Sequence, residues 1–227
     1  MEAALLRHLA AAAVIAALLA AAAPAEAQLL GLERYLSPPK VDYAAEVVMT
    51  ADGTAVAGKI MRAAGRERRE VTVDGELEIV IIRLDRKLVW SLAPDDKLYV
   101  ESSLDDVLGR VPDASGKARE PQLNVTSLGS EPVAGVAATK KKVSGKEPDG
   151  SPIEGVVWVS DDGIVLRAES VLIDEDGKHH SMRMELKNVH VGSQSPALFE
   201  IPAGYKRVTR GKTGSLTPPP GIGARRG

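Results

Sequence analysis

Asp-Gly dipeptides recur through this chain of 227 residues, between stretches in which apolar and polar residues alternate. The pairs are Asp52-Gly53, Asp74-Gly75, Asp149-Gly150, Asp162-Gly163 and Asp176-Gly177. Asp-Gly adopts the positive φ angles of tight hairpin turns, and alternation is typical of strands that bury one face. The sequence therefore predicts consecutive antiparallel hairpins, with about ten strands in one mainly β domain.

The first 27 residues have the order of features found in a secretory signal peptide. Arg7 precedes an apolar, alanine-rich run from Leu9 to Ala23, and Ala25-Glu26-Ala27 follows as a small-x-small cleavage signature. The alternative is a membrane anchor, but the run is short for a hydrocarbon core of about 30 Å. We expect cleavage after Ala27, export to a bacterial periplasm and a single mature domain over residues 28–206.

The composition excludes several classes of function. Because the chain has no cysteine, it has no disulfide, zinc-thiolate site or cysteine nucleophile, and it lacks the acylated cysteine of a bacterial lipoprotein. The 29 Lys and Arg residues nearly balance the 31 Asp and Glu residues, so we expect no nucleic-acid partner. With one Phe, two Trp and four Tyr, an apolar interior must consist mainly of aliphatic side chains and methionine.

The most apolar stretch of the mature chain lies between Leu77 and Leu84 and contains Ile79-Val80-Ile81-Ile82. Such a run fits a strand that is buried on both faces, so another element must cover its second face. After Ser103, which has capping-box character, leucine and valine recur at helical spacing and predict a short amphipathic helix over Leu104–Arg110. The loop from Pro112 to Glu120 is the candidate for a mobile flap.

Towards the C-terminus, the sequence predicts a long strand, an irregularity within it and a tail. Methionines and charged residues alternate after His179, but Val189 and Val191 are out of phase with the methionines. A one-residue slip of this kind predicts a β-bulge or a strand end near Asn188. Lys, Arg, Gly, Thr and Pro dominate from Arg207 onward, so residues 207–227 are predicted to form a disordered tail.

No catalytic or metal-binding constellation accompanies the predicted hairpins. His179 and His180 point to opposite faces of a strand, so they cannot chelate a metal from one side. The acidic turns lack the twelve-residue calcium loop with its terminal Glu, and the sequence has no Gly-x-Ser-x-Gly elbow. We predict a protein that is not an enzyme and uses no cofactor. A further hypothesis is a hydrolase or a metal-dependent enzyme, which spatial clustering of His179, His180, His190 and Glu185 would favour.

Motifs in a fixed order resemble the outer-membrane lipoprotein-sorting (LolA-like) proteins, over roughly residues 42–205. They are Ile82–Pro94 with its Arg-x-Asp and Val-Trp-x-Leu-x-Pro elements, Lys97-Leu98-Tyr99, Gly129–Gly135, Val156–Val159 and Phe199–Tyr205. The resemblance implies a strongly curved antiparallel sheet, an incomplete barrel, with short helices over its concave face and an apolar cavity between them. It also implies a gating arginine, for which Arg62 and Arg68 are the candidates.

The resemblance implies a periplasmic carrier or sensor that binds an acyl chain, a lipid or a lipoprotein. We expect the protein to be a monomer. An inner- or outer-membrane protein is a further candidate partner. The alternative is a non-enzymatic envelope interaction protein that uses the same fold without a ligand cavity. The residues predicted to line the cavity are Val47, Met49, Ile60, Val80, Ile82, Trp90, Leu104, Leu108, Met182 and Met184.

Overall fold

The computed structural model describes residues 32–73, 75–108, 121–147, 150–173, 178–210 and 216–217. Most of these residues belong to one large, open, curved β-sheet of 12 strands. The predicted signal peptide (1–27), the predicted flap (112–120) and most of the predicted tail lie outside the described residues. No helix in the described part of the chain is long and apolar enough to cross a membrane.

The strands are numbered in chain order. They are β1 (Tyr43–Ala51), β2 (Thr54–Ala63), β3 (Arg66–Val73), β4 (Glu76–Arg83), β5 (Leu88–Ala93), β6 (Leu98–Ser103), β7 (Gln122–Ser130), β8 (Thr139–Lys146), β9 (Pro152–Val159), β10 (Val165–Ile173), β11 (His179–Val191), β12 (Lys206–Arg207), β13 (Thr209–Arg210) and β14 (Leu216–Thr217). Helix α1 spans Leu104–Val107, and 3₁₀ turns span Leu32–Tyr35 and Pro196–Phe199.

The strand order in the sheet is β12-β6-β5-β4-β3-β2-β1-β11-β10-β9-β8-β7, and β13 pairs with β14 separately. Hairpins account for most of this order, as the sequence predicts. Asp52 and Gly53 both have positive φ, at 46° and 84°, and form the tight turn between β1 and β2. One pairing departs from the predicted antiparallel sheet, because β12 runs parallel to β6. The sheet is therefore mixed at that edge and open at both ends.

Each strand presents alternate residues to the two faces of the sheet. Face A is the face that carries Ile60 and Val80, and face B is the face that carries Ile81 and Trp90. On face A, β4 packs against Leu104 and Val107 of α1; on face B, it packs against Phe199 and its neighbours. The prediction that this strand is buried on both faces is confirmed.

The prediction of short helices over the concave face is not supported. Helix α1 begins at Leu104 as predicted, but its described part is a single turn that ends at Val107. Near the start of the described chain, a 3₁₀ turn forms at Leu32–Tyr35.

The predicted irregularity in β11 is confirmed. The register between β1 and β11 shifts between Ala44 and Glu46, opposite the segment that contains Asn188. Asn188 has a φ of 49°, which a short polar side chain tolerates better than a branched one. The bulge therefore explains why Val189 and Val191 are out of phase with the methionines.

The chain after β11 returns across face B and ends at the β6 edge. Phe199 is fully buried there, and β12 then pairs with Leu98 and Tyr99. Val208 is also buried, with its amide donating to Tyr99. Ordered contacts thus extend beyond Arg207, while the predicted tail as a whole stays a prediction.

Candidate functional site

A small pocket lies on face A, beneath the segment of residues 32–40, which we call the N-terminal cover. Its volume is about 10 Å³, which is room for roughly one water molecule. The residues that line it are Glu33, Ser37, Pro39, Tyr43, Ile60, Arg62, Gly163, Val165, Met184 and Leu186. Pockets for small organic ligands usually exceed about 300 Å³. In the arrangement described here, this pocket is too small for an acyl chain.

The N-terminal cover is attached to face A by apolar side chains and a few polar contacts. Tyr35 and Leu36 are partly buried against the same apolar cluster as Leu32. Leu32 is buried in a cluster with Val157 and Val165. Gly155 makes room for it, since a Cβ there would lie 2.3 Å from the Leu32 Cδ1 atom. The Tyr35 hydroxyl contacts Glu147. The cover therefore occupies an apolar strip of face A on strands β8 to β10.

A buried network of charges connects the cover to strands β2 and β3. Arg69 Nε donates to Glu67 Oε1 over 2.5 Å, and Arg69 Nη2 donates to Glu33 Oε1 over 2.7 Å. Arg62 Nη1 lies 3.1 Å from Glu67 Oε2. Glu67 and Arg69 are each 5% exposed, so these charges depend on one another rather than on solvent.

The burial of this network changes the acidity of its members. Burial alone would raise the pKa of Glu67, but Arg69 and Arg62 outweigh it and hold that pKa below its ordinary value. Burial, helped by the negative charge of Glu67, raises the pKa of Tyr43 to about 12. At neutral pH, Glu67 is therefore a carboxylate that binds two guanidinium groups, and Tyr43 is a neutral phenol beside the pocket.

The structure divides the ten predicted ligand-binding residues between clusters. One cluster on face A contains Val47, Met49, Ile60 and Met184; a second, around α1, contains Val80, Ile82, Leu104 and Leu108. Met182 lies on the same strand as Met184 and is half-buried, but it belongs to neither cluster. Of these residues, Ile60 and Met184 line the pocket.

Trp90 belongs to face B and is separated from the other predicted residues by the sheet. It pairs with Ile81, whereas its neighbour Val89 pairs with Ile82 and packs beneath α1. Adjacent residues of a strand lie on opposite faces, so only one of Val89 and Trp90 can lie on face A. The sequence pattern favoured Trp90, whereas the structure places Val89 there. Val89 is thus the face A residue that the sequence analysis missed.

The two candidate gating arginines lie on opposite faces. Arg62 lines the face A pocket, whereas Arg68 donates to the Leu198 carbonyl oxygen on face B over 3.1 Å. Arg69, which the sequence analysis did not select, is the arginine that contacts the cover. The spacing of Glu67 and Arg69 is the sequence feature that could have indicated this charged cluster, because residues two apart on a strand share a face.

Three of the motifs that carry the family resemblance, Ile82–Pro94, Lys97–Tyr99 and Phe199–Tyr205, meet on face B. Arg83 is 3% exposed and donates to both carboxylate oxygens of Asp85 over 2.8 Å. Its third bond, of 3.0 Å, goes to the Phe199 carbonyl oxygen, and a fourth, of 2.6 Å, goes to Glu200. The Arg-x-Asp motif therefore binds the C-terminal Phe-x-Ile-Pro motif to β4, which is a structural role.

The histidines give no support to a metal-dependent enzyme. Within the described residues, no group of three or more acidic or histidine side chains could hold a metal ion. His180 Nδ1 lies 2.6 Å from Asp52, and Asp52 also accepts from the Ser181 amide over 2.9 Å. The Ser181 hydroxyl contacts Asp52, rather than the imidazole that would have to activate it as a nucleophile. This cluster ties the β1–β2 turn to β11.

Several solved structures are similar to this one. An uncharacterized conserved protein from Thermus thermophilus has a TM-score of 0.48 and 18% identity, covering 75% of this chain and 91% of that one. A chain of the Pseudomonas aeruginosa MucA/MucB complex has a TM-score of 0.42 and 14% identity, covering 73% and 57%. The LolA superfamily protein NE2245 from Nitrosomonas europaea has a TM-score of 0.38 and 10% identity, covering 77% and 97%.

No protein-family model matches the sequence, and neither does any curated protein. The LolA superfamily, whose motifs the sequence resembles, is among the groups that the structure resembles.

Proposed function

We propose that this chain is an exported, non-enzymatic binding protein of the bacterial envelope that takes an acyl chain, or a similarly slender apolar ligand, on face A. Binding requires the N-terminal cover to move aside, because the closed pocket has a volume of about 10 Å³. The observation that carries the proposal is the apolar strip beneath the cover. Its members are Val143, Ile153, Val157, Val159, Val165 and Ala168, with Leu32 of the cover packed against them.

A sufficiently long acyl chain can offset the contacts that the cover loses. Removing a buried leucine from its apolar surroundings costs about 1.5–3 kcal/mol. Each methylene of an acyl chain that takes its place contributes about 0.8 kcal/mol, so about four methylenes offset the loss of Leu32, and further methylenes are needed for the contacts of Tyr35 and Leu36. A longer chain leaves a surplus for separating Glu33 from Arg69.

The charged network indicates which end of the ligand lies near Arg69. When the cover moves, Glu33 leaves Arg69, and the buried guanidinium loses one of its two carboxylate partners. A carboxylate or phosphate at the head of a lipid would replace Glu33 there, since arginine binds both groups well. The proposed ligand therefore has an acidic head near Arg69 and an apolar chain along β8 to β10.

Paired methionine substitutions test the proposal. Met184 lines the pocket, and Met182 is half-buried on the same strand and face but outside the clusters. Protein from a bacterial periplasm is delipidated and titrated with a fluorescent fatty acid. We expect Met184→Glu to weaken uptake about tenfold and Met182→Glu to leave it nearly unchanged. Leu32→Ala should strengthen uptake, because the open form becomes more populated.

Uptake that none of these substitutions changes would contradict binding beneath the cover. Mass spectrometry of lipids that co-purify with the protein supplies an independent measurement. The second candidate function is an envelope interaction protein without a ligand, which the small volume of the closed pocket favours. Lipid-free protein that takes up no fatty acid, even with Leu32→Ala, would leave this second function.

A further inference from the structure

The strand β7 ends the sheet opposite β12. Within the described part of the chain, β7 pairs with β8 alone, and all nine of its residues are exposed. In an antiparallel pair, every second residue turns its amide and carbonyl away from the partner strand. The outer edge of β7 therefore offers a row of backbone donors and acceptors on which a further strand can form.

Natural sheets usually protect such an edge with charges, proline, a bulge or a very short strand. The β12 edge follows this rule, since β12 consists of Lys206 and Arg207 alone. β7 has no charged residue and no proline, and its single register shift lies between Ser127 and Gly129. The segment from Gln122 to Ser127 is regular and about 20 Å long, which suffices for an added strand.

The two faces of β7 differ in chemistry. Leu123 and Val125 lie on one face, where Val125 pairs with the buried Val143. They are 38% and 43% exposed and continue the apolar strip of face A to the edge of the sheet. The opposite face of β7 carries the polar side chains of Gln122, Asn124 and Thr126. An added strand that turns apolar residues towards face A would extend the existing core by one strand.

The strand behind the edge supplies a positive charge. β8 contains four lysines and no acidic residue. Lys142 and Lys146 pair with Thr126 and Gln122, so they lie on the polar face. Lys142 is also ion-paired with Glu154 of β9, its Nζ atom lying 3.1 Å from Glu154 Oε1, so an acidic residue on an added strand would share this lysine with Glu154. An added strand would lie about 9.6 Å from β8, close to the screening length of about 8 Å at physiological salt. A second copy of this chain would bring another set of lysines to the same face, which disfavours self-pairing.

We propose that β7 is a docking edge for an extended segment of another protein, in which apolar and acidic residues alternate. The apolar side chains join Leu123 and Val125 on face A, and the acidic side chains face the lysines of β8. The backbone of the segment completes the hydrogen bonds at the outer edge of β7. This is addition of a β-strand, in which the main chain supplies affinity and the alternation supplies specificity.

A labelled peptide, Val-Glu-Val-Glu-Val-Glu, serves as the probe for the protein purified from a bacterial periplasm. Fluorescence anisotropy should show binding that weakens with salt, and a peptide with Lys in place of each Glu should bind more weakly. Hydrogen exchange should show new protection of β7 amides. Val125→Lys should weaken binding about tenfold. Val171→Lys is the matched control, since Val171 is 52% exposed on the interior strand β10.

A double reversal, Lys142→Glu with Lys146→Glu, tests the charge separately and should invert the preference between the two peptides. Absence of binding, protection elsewhere than on β7, or equal binding of both peptides would overturn the proposal. Sedimentation that reveals a dimer abolished by Val125→Lys would also overturn it, because the occupant would then be a second copy. The circular dichroism of each variant shows whether its fold is intact.

Discussion

Strands β4 and β7 have nearly the same length and belong to the same sheet, yet their surroundings are opposite. The last five residues of β4 are buried, and its faces pack against α1 and against the turn that contains Phe199. All nine residues of β7 are exposed. The difference follows the sequences, since Ile79-Val80-Ile81-Ile82 is continuously apolar whereas Leu123-Asn124-Val125-Thr126 alternates.

The density of apolar residues along a strand indicates how many of its faces need a cover. β4 needs two covers, and the chain supplies both from distant segments. β7 has apolar residues for one face, and no other strand lies beyond it in the described structure. The covered part of the sheet around β4 therefore provides stability, while β7 keeps backbone amides and carbonyls on its outer edge to which another strand can bond.

The largest expected contrast is between Ile81→Ala and Val125→Ala. Ile81 is fully buried between Met61 and Trp90, so its truncation should lower the free energy of unfolding by about 2–5 kcal/mol. Val125 is exposed, and its truncation should cost less than about 0.5 kcal/mol. Urea denaturation followed by circular dichroism measures both values. Equal losses would mean that β7 is covered in solution, which would contradict the difference in burial between β4 and β7.

A smaller difference in stability is expected between the loss of an ion pair on β4 and the loss of one on β8. Arg83→Leu removes the bonds to Asp85 and Glu200 and leaves the Phe199 carbonyl without its donor, at a cost of about 2 kcal/mol. Lys142→Leu removes an exposed pair with Glu154 and should cost about 0.5 kcal/mol or less. Raising the salt concentration should abolish the second loss and largely preserve the first. A salt-sensitive loss for Arg83→Leu would contradict its burial.

Local patterns in the sequence predicted much of the fold. The continuous apolar run predicted the double burial of β4, and the phase slip predicted the bulge near Asn188. The parallel strand β12 was not predictable, because two residues have no periodicity and their direction depends on where the chain returns. The short helices over the concave face, which the family resemblance implies, are not supported, since helix α1 is a single turn over Leu104–Val107.

The candidate site was less predictable than the fold. Apolar residues were predicted to line the site, but the phase of Val89 and Trp90 depends on the pairing of β5, which the sequence does not give. The contact between Glu33 and Arg69 joins residues 36 positions apart, and nothing in either local sequence specifies it. Buried charges are rare, so a sequence pattern of Arg and Glu is read by default as an exposed strand face.

The smallest expected difference is in stability at acidic pH, and Glu67 is the residue that tests it. Arg69 and Arg62 hold the pKa of this carboxyl below its ordinary value of 4.5 despite its burial. The folded protein therefore binds this proton more weakly than the unfolded chain does. The stabilisation from Glu67 is complete above pH 4.5 and is lost as the pH falls through the lower, folded pKa.

We expect Glu67→Gln to be less stable than the natural protein at pH 7, and the gap to narrow below pH 4.5, as urea denaturation at a series of pH values would show. Because β7 and β8 contain no acidic residue, acid should reduce amide protection in β2 and β3 before it reduces protection in β8. A gap that stays constant with pH would mean that Glu67 titrates like an exposed carboxyl. The covered end of the sheet would then lack the charged network that distinguishes it from the β7 edge.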